Sequence, residues 1–129
     1  MRNQKLNKAI NFRSSGKHRE SNKLLVQLAR EFHDDALINY QCASSFDILG
    51  EEAKAVPYYQ SAITLGLPAK ELKVTYLDLG SSLRSLGIYE QSRITFEEAM
   101  DLFPYNRAIQ VFYAMTLYNQ NDHEKAMEV

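Results

Sequence analysis

The sequence predicts an all-α fold built from stacked pairs of helices. No segment alternates polar and apolar residues as a half-buried strand does, and only three prolines and five glycines interrupt the 129 residues. Gly16 and Gly50 lie 34 residues apart, and Gly87 follows 37 residues later. Another 34 residues lead to Asn121, and asparagine is the next best residue for the left-handed backbone that ends a helix. An interval of this size indicates a helical repeat array.

Aligning the chain on these turns shows further residues that recur at fixed distances from the glycine. A small residue lies five positions after it, an aromatic residue nine after it and an alanine twelve after it: Ala55 and Ser92, Tyr59 and Phe96, Ala62 and Ala99. These residues resemble the tetratricopeptide repeat consensus, in the form of a small bacterial-type protein. The resemblance implies a right-handed superhelical stack of antiparallel helix pairs with about 3.5 repeats. A single domain over 1–129 would hold repeats at about 2–35, 36–69, 73–106 and, incompletely, 107–129.

Each repeat is expected to contain two helices joined at the turn. We predict seven helices and a short eighth, near residues 3–15, 18–33, 36–49, 52–66, 70–86, 89–102, 105–119 and 122–128. Small residues should let paired helices approach closely: Ala9, Ala43, Gly80 and Ala114 on first helices, Ser21, Ala55, Ser92 and Ala126 on second helices. Pro57, about five residues into a second helix, should bend that helix or delay its start.

The residue content of the chain argues against catalytic activity, membrane-spanning segments and internal disulfide bonds. The net charge is −1, 45% of residues are apolar, and no apolar run reaches the length of a membrane span. The single cysteine, Cys42, suits a reducing compartment, so we expect a cytoplasmic protein. The three histidines are isolated, and adjacent carboxylates in a helix point about 100° apart. We therefore expect no catalytic, metal-binding or cofactor-binding residues, and no enzyme activity.

The resemblance implies that the first helices line a concave groove that receives a protein partner. Many of the groove positions are apolar or aromatic, which favours a non-catalytic scaffold that binds a peptide or a helix. These positions are Leu6, Ile10, Arg13, Leu37, Tyr40, Ser44, Asp47, Ile48, Val74, Leu77, Ser81, Arg84, Val111, Met115 and Tyr118, flanked by Asn3 and Ala108.

Some members of the family hold the C-terminal carboxylate of chaperones with a clamp of Lys, Asn and Arg side chains. The corresponding positions here are Leu6, Ile10, Gln41, Val74 and Asp78, none of which is cationic. The sequence therefore predicts no measurable binding of an acidic chaperone-tail peptide.

Two other partner classes stay open. An incomplete last repeat favours self-association, such as a homodimer through residues near 105–129. Residues 2–35 carry eight basic and four acidic residues, a net charge of +4, whereas the rest of the chain carries −5. This asymmetry would suit a nucleic-acid partner, but the aromatic residues of RNA-recognition modules are not interleaved with the basic ones, so nucleic acid is the less favoured partner.

Overall fold

The computed structural model describes residues 1–127, and within that range it contains seven α-helices and no strand. The helices are α1 (Arg2–Ser14), α2 (His18–Glu31), α3 (Ala36–Ile48), α4 (Glu52–Leu65), α5 (Ala69–Ser85), α6 (Tyr89–Leu102) and α7 (Arg107–Met127). The all-α prediction is confirmed, and the first six helices begin and end within a few residues of their predicted bounds. Packing contacts group α1–α4 into one unit, Met1–Pro68, and α5–α7 into a second unit that begins at Ala69. The single domain stays a prediction.

The turns that end α1, α3 and α5 share one geometry. Each contains a glycine with positive φ: Gly16 at 79°, Gly50 at 75° and Gly87 at 80°. At each turn, the N–H group of the next residue donates to the carbonyl oxygen five residues earlier, over 2.8 or 2.9 Å. These bonds satisfy carbonyl groups that the helix end would otherwise leave open. Because a side chain is strained at this backbone conformation, the turn explains why glycine recurs in the sequence.

The turn predicted at Asn121 is wrong. Helix α7 runs unbroken from Arg107 through Asn121 to Met127, where helices at 105–119 and 122–128 were expected. Asparagine enters the left-handed region more readily than most residues, but it also continues a helix at a cost of only about 0.7 kcal/mol. The helix begins after Asn106, whose side-chain oxygen accepts a hydrogen bond from the Ile109 N–H at 3.0 Å. Residue 128 lies outside the described residues.

In the first unit, α1 packs on α2, α2 on α3 and α3 on α4. Apolar side chains spaced three or four residues apart form the core, and each stabilises the fold by roughly 1.5–3 kcal/mol when fully buried. Fully buried residues include Leu25, Leu28, Ile38 and Tyr59, and the predicted small residues Ala9, Ala43, Ala55 and Ser21 lie among them. Helix α4 starts at Glu52 and contains Pro57, so the delayed start does not occur, and the alternative, a bend at Pro57, stays a prediction. The proline is exposed to solvent.

In the second unit, α5 packs on α6, and α7 contacts both. Gly80 lets α5 and α6 approach, because an added Cβ at this position would overlap the ring of Phe96. The Ser92 hydroxyl donates to the Gly80 carbonyl oxygen at 2.7 Å. The buried Phe96 ring also stacks on Phe112, with 6.3 Å between ring centroids.

Ala114 is an exception to the predicted small core positions, because it is exposed. The prediction assumed that a second helix of the fourth repeat would fold back against Ala114. Since α7 continues through Asn121, no such helix covers this face within the described residues. Ala126 lies beyond the residues whose side chains are described.

Candidate functional site

In the first unit, the predicted groove residues lie on α1 and α3, and most are partly buried. Ile10, Leu37 and Ser44 are half-buried, and Ile48 is 46% exposed at the end of α3. Leu6 is only 7% exposed, so its prediction as a surface residue needs correction. It lies three residues before the buried Ala9, and this spacing places both on the side of α1 that faces the core.

A polar network ties the remaining groove residues of this unit to its interior. The guanidinium group of Arg13 on α1 donates to the side-chain oxygen of Gln41 at 2.8 Å and to its carbonyl oxygen at 3.2 Å. Burial lowers the pKa of Arg13, whereas the nearby Tyr40 and Tyr59 raise it. The Tyr59 hydroxyl donates to the carboxylate of Asp47. Arg13 and Asp47 therefore link α1, α3 and α4, and Tyr40 lies near Arg13.

In the second unit, α5 presents Val74, which is 39% exposed, and the half-buried Leu77 and Ser81. Arg84 at the end of α5 donates to the side-chain oxygen of Asn119 on α7 at 3.3 Å. Arg84 and Arg13 lie at the same distance before their turn glycines. Within the described residues, each has a buried Nε atom without a hydrogen-bond partner. Both arginines thus bridge neighbouring first helices with only part of their donor capacity satisfied.

Helix α7 has two apolar sides, and only one of them is packed. Ile109 and Thr116 are fully buried against the unit, and Phe112 stacks on Phe96 between them. The other side carries a row spaced by four and three residues, with Val111 50% exposed, Met115 39% and Tyr118 66%. We call Val111, Met115 and Tyr118 the α7 stripe. Spacings of four and three residues place these side chains on one face of the helix, where they form the most exposed apolar row among the predicted groove residues.

The state of Cys42 and the grouping of possible metal ligands bear on chemical catalysis. Desolvation raises the pKa of the Cys42 thiol to about 12, so the nucleophilic thiolate is not populated near neutral pH. Within the described residues, no three His, Cys, Asp or Glu side chains come together as a metal site requires. No helix in residues 1–127 has the length and apolar character needed to cross a bilayer.

Two polar features were not predicted from the sequence. On α6 and α7, the Glu97 carboxylate accepts hydrogen bonds at 2.9 Å from Arg93 and from the Tyr113 hydroxyl. The Tyr113 bond and then Arg93 lower the pKa of Glu97. Arg93 and Glu97 are four residues apart, a recognisable helical pairing, but the third member comes from another helix. The bond between Arg13 and Gln41 joins residues 28 apart, and no local pattern signals it.

None of the five positions that correspond to the chaperone clamp carries a basic side chain, and the structure shows how these residues are placed. Leu6 is buried, Val74 is exposed, and the side chain of Gln41 is held by Arg13. Ile10 and Asp78 are half-buried. Rejection of an acidic chaperone tail stays a prediction.

Comparisons with known proteins agree with this architecture. A family model described as Tetratrico peptide repeat matches residues 36–129. Comparison with curated protein sequences gave no match.

Several solved structures have a similar fold. The first TPR of Spaghetti (RPAP3), bound to the HSP90 peptide SRMEEVD, has a TM-score of 0.79 and 16% identity over 93% of each chain. The second TPR domain of human RPAP3, in complex with the HSP70 peptide SGPTIEEVD, has a TM-score of 0.74 and 16% identity, covering 87% of this chain and 91% of that one. MamA AMB-1 has a TM-score of 0.84 and 17% identity, covering 99% of this chain and 68% of that one.

At these identities, the structural likeness concerns the fold alone. The family model, in contrast, spans well over half of the sequence, and its match begins at the first residue of α3. The seven helices and the glycine turns agree with it. The chain therefore belongs to the tetratricopeptide repeat family.

Proposed function

We propose that this chain is a protein-interaction scaffold without catalytic activity, and that it binds a peptide or a helix of a partner protein against the first helices of its repeats. The α7 stripe carries the proposal. Exposed apolar side chains at helical spacing are unfavourable in water, so such a surface usually marks a contact site. Peptides bound to two similarly folded proteins support the same mode of use.

The chemistry of the stripe indicates the kind of partner. The peptides in those two structures end in Glu-Glu-Val-Asp, whereas the α7 stripe is apolar. An extended or helical segment should therefore be anchored by its own apolar side chains, spaced to meet Val111, Met115 and Tyr118. The half-buried Leu77 would extend this contact within the second unit, and the half-buried Tyr40 stays a predicted anchor of the first unit.

A displayed library of random peptides tests the proposal. Selected peptides are synthesised and titrated by calorimetry against the wild-type chain and the Tyr118→Ala and Val111→Ser variants. If Tyr118 is an anchor, its truncation should weaken binding by about 1–2 kcal/mol, which is roughly 5- to 30-fold. Circular dichroism should show an unchanged fold, because Tyr118 is 66% exposed.

Tyr105→Ala is the matched control. Tyr105 is 95% exposed and precedes α7, so its loss removes the same side chain without touching the stripe. Equal affinity of the selected peptides for the wild type, Tyr118→Ala and Val111→Ser would contradict the proposal. Failure of the library to yield any binder would also count against it.

The homodimer through the C-terminal repeat is the second candidate, because a second copy could cover the same stripe. Light scattering separates the two ideas: a dimer that Tyr118→Ala converts to a monomer would favour self-association. Phe112→Ser is a poor probe of this interface, since Phe112 stacks on the buried Phe96 and its loss would damage the core.

A further inference from the structure

A row of basic side chains follows one face of α2. Four residues at spacings of four, three and four share this face, and we call them the basic stripe: Arg19, Lys23, Val26 and Arg30. They line an open cavity of about 540 Å³ together with Leu49 and Glu51. The three cations are exposed, and none of them forms an ion pair with a residue in the described part of the chain.

The charge of this row changes from repeat to repeat. The equivalent residues of α4, counted from Gly50, are all neutral and exposed: Ala53, Pro57, Gln60 and Thr64. Those of α6, counted from Gly87, form an acidic stripe: Glu90, Ile94, Glu97 and Asp101. Glu97 is half-buried, and the other three residues are exposed. The stripes on α2 and α6 therefore lie at the same place in the repeat, are both accessible, and carry opposite charge.

The two stripes match when their helices run antiparallel. In that alignment every cation meets a carboxylate, and the apolar residues of the two rows meet each other. The pairs are Arg19 with Asp101, Lys23 with Glu97, Val26 with Ile94, and Arg30 with Glu90. A parallel alignment would instead place Lys23 against Ile94 and Val26 against Glu97.

We propose that the basic stripe on α2 of one molecule binds the acidic stripe on α6 of a second copy of this chain, in an antiparallel helix–helix contact. Because the two surfaces differ, the contact is heterologous, the kind that forms rings or open chains unless it closes reciprocally. It uses second helices, so the α7 stripe on a first helix stays free for the partner of the proposed function.

A second copy fits the basic stripe better than nucleic acid does. Sites for single-stranded nucleic acid combine cations with aromatic side chains that stack on the bases, whereas the stripe contains Val26 and no aromatic residue. Val26 could pack on Ile94 of a second copy, since Ile94 is 42% exposed, but it would gain no such apolar contact from a phosphate backbone. The complementary surface is present on every molecule, at the same concentration as the basic one.

The contact should be weak and sensitive to salt. Glu90 and Glu97 are already shared with Arg93, at 3.5 Å and 2.9 Å, so they offer only part of their charge to a partner. A single helix pair also buries less surface than a stable interface needs, which makes a transient association the expected form. Exposed charges are screened beyond about 3 Å at about 1 M salt, compared with about 30 Å at about 0.01 M.

Sedimentation velocity on the full chain over a range of concentrations tests this. The average mass should rise with concentration at about 0.02 M salt, and the dissociation constant should increase at least about tenfold at about 0.5 M salt. Arg19→Glu with Arg30→Glu, and separately Glu90→Lys with Asp101→Lys, should each give a monomer at low salt. All four side chains are exposed, so both variants should fold.

Mixing the two reversed variants gives the decisive result. The first variant keeps the native acidic stripe on α6, and the second keeps the native basic stripe on α2. The two reversed stripes also complement each other, so the mixture should associate although neither variant does alone. A matched control reverses two exposed cations elsewhere, Lys70→Glu with Arg107→Glu, and should associate as the wild type does.

A wild-type chain that stays monomeric at low salt would overturn the proposal, as would reversed variants that do not recover association on mixing. A monomer that retards single-stranded RNA through Arg19 and Arg30 would assign the stripe to nucleic acid instead. Peptide binding to the α7 stripe is measured with the same variants and should be unchanged, so the two proposals can fail independently.

Discussion

Tyr59 in the first unit and Phe96 in the second occupy the same place in their repeats, nine residues after the turn glycine, yet they hold their units together differently. Both rings are almost fully buried. The hydroxyl of Tyr59 reaches from α4 to the Asp47 carboxylate on α3. Phe96 has no polar side-chain group; the tip of its ring packs against Gly80, and the ring stacks on Phe112. One unit uses a polar bond where the other uses close apolar packing.

The same difference extends to the outer faces of the first helices. In the first unit, Arg13 is bonded to Gln41 and Asp47 to the buried Tyr59. Ile48, at 46%, is the most exposed large apolar side chain of α1 and α3. In the second unit, the α7 stripe is open to solvent because its helix has used its other side for the core. Polar groove residues of the first unit thus bond to its interior, whereas the α7 stripe of the second unit remains exposed.

Removing the Phe96 ring should have the largest effect. Phe96→Ala deletes a fully buried ring and leaves a cavity between α5 and α7, so the free energy of unfolding should fall by about 3–5 kcal/mol. Urea denaturation at neutral pH measures the change. Leu102→Ala on the same helix is the control, since Leu102 is 54% exposed and its truncation should cost little. Comparable losses in the two variants would mean that Phe96 does not carry the core of this unit.

Replacing Phe96 by tyrosine, the residue found at the equivalent position 59, should also lower the free energy of unfolding. The tip of the Phe96 ring is the atom nearest to the place where a Cβ on Gly80 would lie. In Phe96→Tyr the new oxygen would press against α5, and the residue equivalent to Asp47 is Arg84 instead of a carboxylate. The substitution should therefore cost about 1–3 kcal/mol. The same denaturation experiment measures it. A neutral effect would show that the space beside Gly80 is larger than the packing indicates.

Replacing Tyr59 by phenylalanine tests the comparison of Tyr59 with Phe96 from the other side. Tyr59→Phe keeps the ring but removes the donor to Asp47, so stability should fall by about 1–2 kcal/mol. Tyr105→Phe, at an exposed position, should change nothing measurable. If Tyr59→Phe were as stable as the wild type, the polar bond would not distinguish the two units.

Much of the fold could be predicted because its signals are local. The turn glycines mark positions where other residues are strained, and the small residues mark positions where helices touch. The end of the array could not be predicted in this way, because asparagine is compatible with both a turn and a continuing helix. Nothing in the sequence near Asn121 decides between the two.

The groove was harder to predict than the core, because its exposure depends on distant parts of the chain. Leu6, Tyr40, Leu77 and Val111 share one position in the repeat. The first is buried, the next two are half-buried, and the last is 50% exposed. The position in the repeat therefore predicts which side of its helix a residue occupies. How exposed the residue is also depends on contacts between residues far apart in the sequence, such as the bond of Arg13 with Gln41.

The smallest predicted effect concerns the helix caps Asp35 and Asn106, which lie at equivalent places in the two units. The Asp35 carboxylate accepts a hydrogen bond from the Ile38 N–H and forms an ion pair with Arg2 at 2.6 Å. The bond from Arg2 lowers the pKa of Asp35 below its ordinary value of 3.8. A lowered pKa means that this contribution is present above the ordinary value and is lost as the pH falls through the lower folded value.

Asp35→Asn should therefore remove a small acid-dependent term while keeping the cap, since asparagine caps a helix about as well as aspartate does. The loss at neutral pH should be about 0.2–1 kcal/mol, as expected for a partly exposed pair. It should shrink as the pH falls below the ordinary pKa of 3.8 and through the lower folded value. Urea denaturation between pH 7 and pH 2 measures it, with Arg2→Gln as the matched variant that removes the other partner. Asn106→Asp provides the opposite case, because it places a titratable cap in the second unit, where the bond to the Ile109 N–H would become pH-dependent. If the stability difference between Asp35→Asn and the wild type stayed constant across this range, the ion pair with Arg2 would not contribute to folding, and the caps of the two units would be energetically alike.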